Sequence, residues 1–310
     1  MTPGSPPGKP GRGAGRLSTV RSAEDRYVDI TDGVRVWVEQ FPATGPEPAE
    51  PLLLVMGANA TGLVWPDELV ARLAVHHPVL RYDHRDTGRS SAVLDEQPYG
   101  LTDLAADAIA VLDAFAVPRA HLVGMSMGGL LVQLLLLDHP DRVASAVLFG
   151  TGPLPGADGP EPPGPDPALL RLWAELDDPR DPAGELAWRV EHWRLLNGGG
   201  VPFDPAEFRA LERRVVAHSG SSRAVTAHAR LETDGLLRGA ELARVTVPTL
   251  VVEAPADPAF PPPNAELLAA AIGSAELVRI PGLGHALPAA VLEPLATAIL
   301  SRTAARRTGP

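Results

Sequence analysis

"AHLVGMSMGGLLVQ", Ala120 to Gln133, places Ser126 between Gly124 and Gly128, with an apolar run on either side. The run before the serine is short and continuously apolar, the mark of a strand covered on both faces, and the run after it has helical length. A serine at that junction stands at the carboxyl end of the strand, where open parallel sheets bind their ligands. The turn is so sharp that the serine backbone is strained, and strand and helix pass so closely that only small residues fit two places either side. Gly124 and Gly128 meet that need. The Gly-x-Ser-x-Gly spacing alone is weak, since chance produces it in roughly one chain in ten of this composition. The strand before it and the helix after it make it a nucleophile elbow and set aside the plain tight turn.

Outward from Ser126, the chain keeps a strand and helix rhythm. "RYVDI" and "VRVWVEQF" alternate apolar and polar residues around "TDG" and predict an antiparallel hairpin. "PLLLVMG" (Pro51–Gly57), "PVLRYD", "AHLVGMS" and "VASAVLFG" read as buried strands. Between them "PDELVARLAVH", residues 101–115 and residues 127–137 have helical spacing. Strands alternating with helices imply right-handed crossovers and a mostly parallel, doubly wound α/β sheet. From 153 to 243 the strands stop, and helical segments carrying Trp173, Trp188 and Trp193 predict an inserted helical cap. "TVPTLVVEA", "AELLAAAI", "AELVRIPG" and a helix over 287–302 resume the rhythm. The expected organisation is a core of 26–152 and 244–302, a cap of 153–243, and a disordered Pro/Gly-rich tail over 1–25.

Composition bounds the chemistry. The 310 residues suffice for one large α/β domain with an insertion, and hydrophobic residues at 45% permit a packed core. With 38 acidic residues against 27 Lys plus Arg, nucleic acid and anionic membranes are poor partners, and a small-molecule substrate is expected. The chain has no cysteine, which excludes disulfides, thiolate catalysis and zinc-thiolate sites, so a covalent nucleophile must be oxygen or nitrogen. "MTPGSPPGKPGRGAG" has no apolar stretch of the kind a secretory signal needs, and no run reaches about 18 apolar residues, so the default expectation is a cytoplasmic protein. No residue pattern sets the oligomeric state.

A serine hydroxyl attacks only when a base takes its proton, and an imidazole base needs a carboxylate to orient it. "EAPADPAF" places Asp257 just beyond one late strand, and "IPGLGHALP" places His285 in a glycine-bracketed loop beyond the next. The order serine, acid, histidine is that of the α/β-hydrolase fold. Asp257, before a proline, also has a plain reading as a turn aspartate. Glu253 is the rival acid, but it lies inside the apolar strand. His76, His77, His121 and His139 flank helix ends or open a strand and read as structural. An oxyanion needs two backbone N–H donors; Met127 follows the nucleophile, and the loop "MGAN" after the central strand offers the second at Ala58. In "RYDHRDTGRSS", Asp83, His84 and Asp86 lack metal spacing, and no metal or cofactor motif stands elsewhere; Arg85, Asp86 and Arg89 are expected to hold the loop, with Asp83 or His84 facing the pocket as the lesser alternative.

With these motifs in order, the chain resembles the α/β-hydrolase superfamily. "LLLVMGANATGLVWPDELVARL", "RYDHRDTGRSS", "PYGLTDLAADAIAVLDAFAVPRAHLVGMSMGG" and "DPAFPPP...IPGLGHALP" are similar to the aclacinomycin methylesterase group of actinomycete polyketide enzymes. The resemblance spans about residues 26 to 150 and 245 to 300. It implies a triad of Ser126, Asp257 and His285, oxyanion donors at Ala58 and Met127, no cofactor, and removal of a methyl group from an aromatic polyketide ester. Ala58 departs from the group, whose loop carries a second glycine there; a backbone donor survives that change. The cap aromatics Trp173, Trp188, Trp193, Phe203 and Phe208 are candidates for a flat apolar floor under such rings, or for packing of the cap. The same triad also serves thioesterases, lactonases and polyketide-cyclising hydrolases. From a different class, a receptor retaining a hydrolase pocket without turnover is the alternative.

Overall fold

The computed structural model describes residues 24–31, 33–221 and 225–304. The tail expected over 1–25 falls outside the described residues as far as residue 23; Glu24 and Asp25 already belong to a strand. β1 (Glu24–Thr31) and β2 (Val34–Phe41) pair antiparallel as the hairpin pattern predicts. They are joined in one sheet by β3 (Leu52–Val55), β4 (Val79–Tyr82), β5 (Ala120–Met125), β6 (Val143–Phe149), β7 (Thr249–Glu253) and β8 (Ala275–Arg279). The order is β1-β2-β4-β3-β5-β6-β7-β8, and apart from the two pairings made by β2 all neighbours are parallel.

Both faces of this sheet are covered, which explains the continuous apolar strands. In β3, Leu52 and Leu54 pack with α1 (Asp67–Leu73) and α8 (Ala289–Thr303). Leu53 and Val55 pack on the other side with α2 (Leu101–Ala114), α3 (Met127–Asp138) and α7 (Asn264–Ala271). All four residues of β3 are fully buried, and each leucine contributes about 2 kcal/mol by leaving water. Among the described residues no helix is long and apolar enough to cross a membrane.

The chain leaves β3 for β4 on one side, then crosses back to β5 on the other. Connections that part in opposite directions open a crevice beyond the carboxyl ends of the two strands between them. The loops after β3 and β5 border that crevice, and they carry Ala58 and Ser126.

Between β6 and β7 stand α4 (Pro167–Trp173), α5 (Pro182–Leu196) and α6 (Pro205–Ser219). Each opens with Asp-Pro: the carboxylates of Asp166, Asp181 and Asp204 accept the N–H groups of Ala168, Gly184 and Ala206, while proline occupies the first helical position. An N-capping acid satisfies a donor that the helix leaves unpaired, and proline has none to lose there. Gly220 ends α6 in the left-handed region at φ 70°. The chain returns to β7 through 3-10 turns at Ala227–Arg230 and Gly239–Arg244, and a bridge between Gly100 and Glu232 ties this return to the start of α2.

Candidate active site

Ser126 sits between β5 and α3 at φ 57° and ψ −126°, a backbone conformation that costs a non-glycine residue about 1–3 kcal/mol. Its neighbours show why glycine flanks it. A Cβ on Gly124 would lie 2.5 Å from the Gly128 carbonyl oxygen, and one on Gly128 would lie 2.1 Å from that of Val55. The N–H of Ser126 donates to Phe149 O at 3.1 Å, and its own carbonyl accepts from Gly129 N at 2.8 Å, so the turn is held from both sides.

Asp257 and His285 come together as a buried pair. His285 Nδ1 lies 2.8 Å from Asp257 Oδ2, the two residues being 8% and 2% exposed. A carboxylate only accepts, so the imidazole proton is on Nδ1 and Nε2 is left with its lone pair free. The second oxygen of Asp257 accepts the N–H groups of Ala259 at 2.7 Å and Phe260 at 2.9 Å. Asp257 is therefore a turn aspartate through Oδ1 and the partner of His285 through Oδ2. Gly150, at φ 55° after β6, makes room: a Cβ there would stand 3.1 Å from His285 Nδ1 and 3.3 Å from Asp257 Oδ2. The helical insertion holds His285 as well, since His285 N donates to Leu196 O at 2.7 Å at the end of α5. Glu253, the rival acid, is buried in β7 and bound to Arg279 at 2.7 Å, away from this pair.

On the loop after β3, a Cβ on Gly57 would come within 2.9 Å of Ser126 Cβ, so the loop lies directly against the serine. Ala58 and Met127 line the same cavity as Ser126 and His285. Among the described residues neither their N–H groups has an acceptor in the protein. The N–H of Asn59, by contrast, is taken by His228 Nδ1 at 2.9 Å.

This cavity has a volume of about 1330 Å3, and Trp173, Trp188 and Trp193 all line it. Their indole N–H groups are spent on the cap itself: Trp173 donates to His192 Nε2 at 2.9 Å, Trp188 to Glu175 at 3.2 Å and Trp193 to Glu212. Their ring surfaces are what remains for a ligand. Phe203 and Phe208 stack on one another, centroids 5.0 Å apart, and pack the cap instead of lining the cavity. His192, which also lines the cavity, is pushed down to about 4, mainly by burial, so it is neutral near pH 7.

The segment after β4 holds structure together. Arg85 grips Asp107 with two bonds of 2.7 and 2.6 Å, and Arg89 N donates to Asp83 Oδ2 at 2.9 Å. Asp83 and His84 do not face the cavity: Asp83 is fully buried, accepting also from Gly62 N and pairing with His218 of α6 at 2.6 Å. His84 Nε2 donates to Met56 O at 2.9 Å. Asp86 does line the cavity, with its carboxylate committed to Tyr99 and to the N–H of Val93. His228, His192 and His218 escaped the sequence reading, because single histidines in the cap have no spacing that marks them; the three Asp-Pro pairs were the legible signal there.

The model of the alpha/beta hydrolase fold family matches residues 50–288. The rhodomycin D methylesterase DnrP of Streptomyces peucetius is 45% identical over 293 residues, covering 88% of this chain and 96% of that protein. The rhodomycin D methylesterase DauP of Streptomyces sp. (strain C5) matches at the same identity and coverage. Among solved structures, a hydrolase from Pseudomonas aeruginosa PA01 superposes with a TM-score of 0.69 at 28% identity, over 92% of this chain and 100% of that one. The bromoperoxidase from Bacillus anthracis shares the fold with a TM-score of 0.71 at 22% identity, over 90% and 99% of the two chains. A family model spanning most of the chain and two relatives spanning nearly all of it leave one conclusion: the chain belongs to the alpha/beta hydrolase fold family.

Proposed function

We propose that this chain is a cofactor-free carboxylic ester hydrolase that removes a methyl group from a bulky, aromatic, polyketide-type ester through an acyl-enzyme. The observation that carries the reading is the buried pair of His285 and Asp257, 2.8 Å apart, on a cavity that also exposes the hydroxyl-bearing elbow at Ser126. The 45% identity to two rhodomycin D methylesterases supports the ester class, and a cavity of about 1330 Å3 walled by three tryptophans suits a fused-ring acid.

In this mechanism Ser126 Oγ attacks the ester carbonyl while His285 Nε2 takes its proton, and Asp257 stabilises the imidazolium. The negative oxygen of the tetrahedral intermediate is held by the N–H groups of Ala58 and Met127, which line the cavity and have no acceptor among the described residues. Collapse breaks the bond to the alkoxide, which leaves as methanol with the proton from His285. Water then gives a proton to His285, attacks the acyl-enzyme, and releases the carboxylic acid and the free serine.

The test is a panel of methyl esters, aryl esters, lactones and acyl thioesters, run beside Ser126→Ala and a fluorophosphonate probe. Methyl esters of polycyclic aromatic acids are expected to be turned over best, the probe to give one adduct on Ser126, and the variant to stay folded while losing at least about a thousandfold in kcat. A variant with wild-type turnover refutes the serine mechanism. Preferred turnover of thioesters or lactones refutes the methyl ester assignment, and ligand binding with neither turnover nor an adduct identifies a receptor.

A further inference from the structure

The loop that carries Ala58 is clamped by a histidine from the cap. His228 lies on the return from α6 to β7, 169 positions after Asn59, yet the two meet through two bonds. Asn59 N–H donates to His228 Nδ1 at 2.9 Å, and His228 N–H donates to Asn59 Oδ1 at 3.0 Å. The far ring nitrogen of His228 donates to Arg85 O at 2.8 Å, which fixes the tautomer: the proton is on Nε2, and Nδ1 presents a lone pair. Asn59 itself sits in the left-handed region at φ 57°, which asparagine tolerates better than most residues other than glycine. Three residues back along the same loop, Met56 O is held by His84 Nε2 at 2.9 Å, and the His84 and His228 rings meet edge to face, 5.9 Å apart.

The peptide group that His228 grips joins Ala58 to Asn59 and the carbonyl that His84 grips belongs to the peptide of Met56 and Gly57, so the peptide between them, which carries the Ala58 N–H, is anchored on both sides. An oxyanion donor is worth its full effect only when it is aimed before the charge develops. Burial also keeps both rings neutral, His84 down to about 3 and His228 below its usual value, so the lone pair that accepts Asn59 N–H persists at neutral pH. The geometry points to His228 as a positioning residue of the oxyanion hole, which holds the peptide between Ala58 and Asn59 from the cap, on the edge of the cavity that it also lines. This rests on the hydrolase reading above. It also makes the cap part of the catalytic apparatus as well as the roof of the pocket.

The experiment compares wild type, His228→Asn and His228→Leu on the best methyl ester of the panel, with kcat, KM, thermal unfolding and affinity for a trifluoromethyl ketone, which binds as a tetrahedral oxyanion. Asn places an oxygen near the position of Nδ1 and is expected to retain kcat within about fivefold, whereas Leu removes the acceptor. The expected loss for Leu is roughly 10- to 100-fold in kcat with KM nearly unchanged, short of or equal to the loss of a whole donor, and a parallel loss of ketone affinity. If the Leu variant does not fold, Asn59→Gly tolerates the left-handed backbone, removes Oδ1, and is expected to lower kcat and ketone affinity together by a smaller factor. A folded Leu variant with wild-type kcat overturns the proposal, as does an effect confined to KM, an equal loss in the Asn and Leu variants, or an Asn59→Gly variant with wild-type kcat. A wild-type protein inert to every ester and to the fluorophosphonate instead overturns the hydrolase reading, and this one with it.

Discussion

Ser126 pays for its position with backbone strain, and the strain is separable from the chemistry. At φ 57° and ψ −126° any Cβ is unfavourable, so alanine there keeps the strain while glycine relieves it. Relief of about 1–3 kcal/mol is partly offset by the greater freedom of glycine in the unfolded chain, about 0.5–1 kcal/mol. Ser126→Gly is therefore expected to be inactive yet more stable than Ser126→Ala by about 1 kcal/mol, read as a higher denaturant midpoint. An equal or lower midpoint for the glycine variant contradicts a strained elbow. At this scale the serine, Asp257 and His285 were legible because each stands next to a strand end in a distinctive local setting. His228 was not, since what gives it a role is Asn59, far away in sequence.

At the level of elements, the elbow works because α3 can approach β3 and β5 almost to backbone contact. Gly128 is the point of closest approach: its Cβ would stand 2.1 Å from Val55 O and 2.6 Å from Met56 O, both rigid backbone atoms. Gly128→Ala is expected to push α3 off β3 and to cost roughly 1–3 kcal/mol or more, as overpacking does, with a lower Tm and a loss of activity because Met127 N–H and the Met56–Asn59 loop move apart. Wild-type stability in that variant contradicts the close approach. The cap meets the core by the same device. A Cβ on Gly198 would lie 1.6 Å from Ala256 O and one on Gly284 2.4 Å from Asn197 O, so "NGGG" after α5 lies directly against the loops of Asp257 and His285. The strands and the sharp turn at Ser126 were readable from spacing, but nothing in "NGGG" announces what it leans on.

For the whole molecule, buried imidazoles set the response to acid. His77, His84, His121, His192 and His228 all have their proton affinity lowered, burial being the largest cause, with His84 at about 3 and His121 and His192 at about 4. In the unfolded chain each returns to about 6.5. Between those values the unfolded state binds more protons than the native one, so stability rises with pH there and is complete above about pH 6.5. Each such histidine contributes a slope of up to about 1.4 kcal/mol per pH unit inside its window. Thermal unfolding is expected to be nearly flat from pH 8 to pH 7 and to shift to lower temperature steadily from pH 6.5 to pH 5. An unchanged Tm across that lower interval contradicts neutral buried rings.

Legible from the residues alone are the sheet with its hairpin, the sharp turn at Ser126, the strand-end places of Asp257 and His285, and the helical stretch between β6 and β7. These follow from forces between near neighbours in the chain, namely burial periodicity, turn geometry and the small residues a tight crossing demands. The packed fold had to settle which oxygen of Asp257 faces His285, that Phe203 and Phe208 pack while the three tryptophans wall the cavity, and that a histidine from the helical insertion grips the loop of Ala58. The contacts of Asp257 with His285 and of Asn59 with His228 join residues 28 and 169 positions apart. A hydrogen bond a few ångströms long has no signature in either segment until the folding of both brings them together.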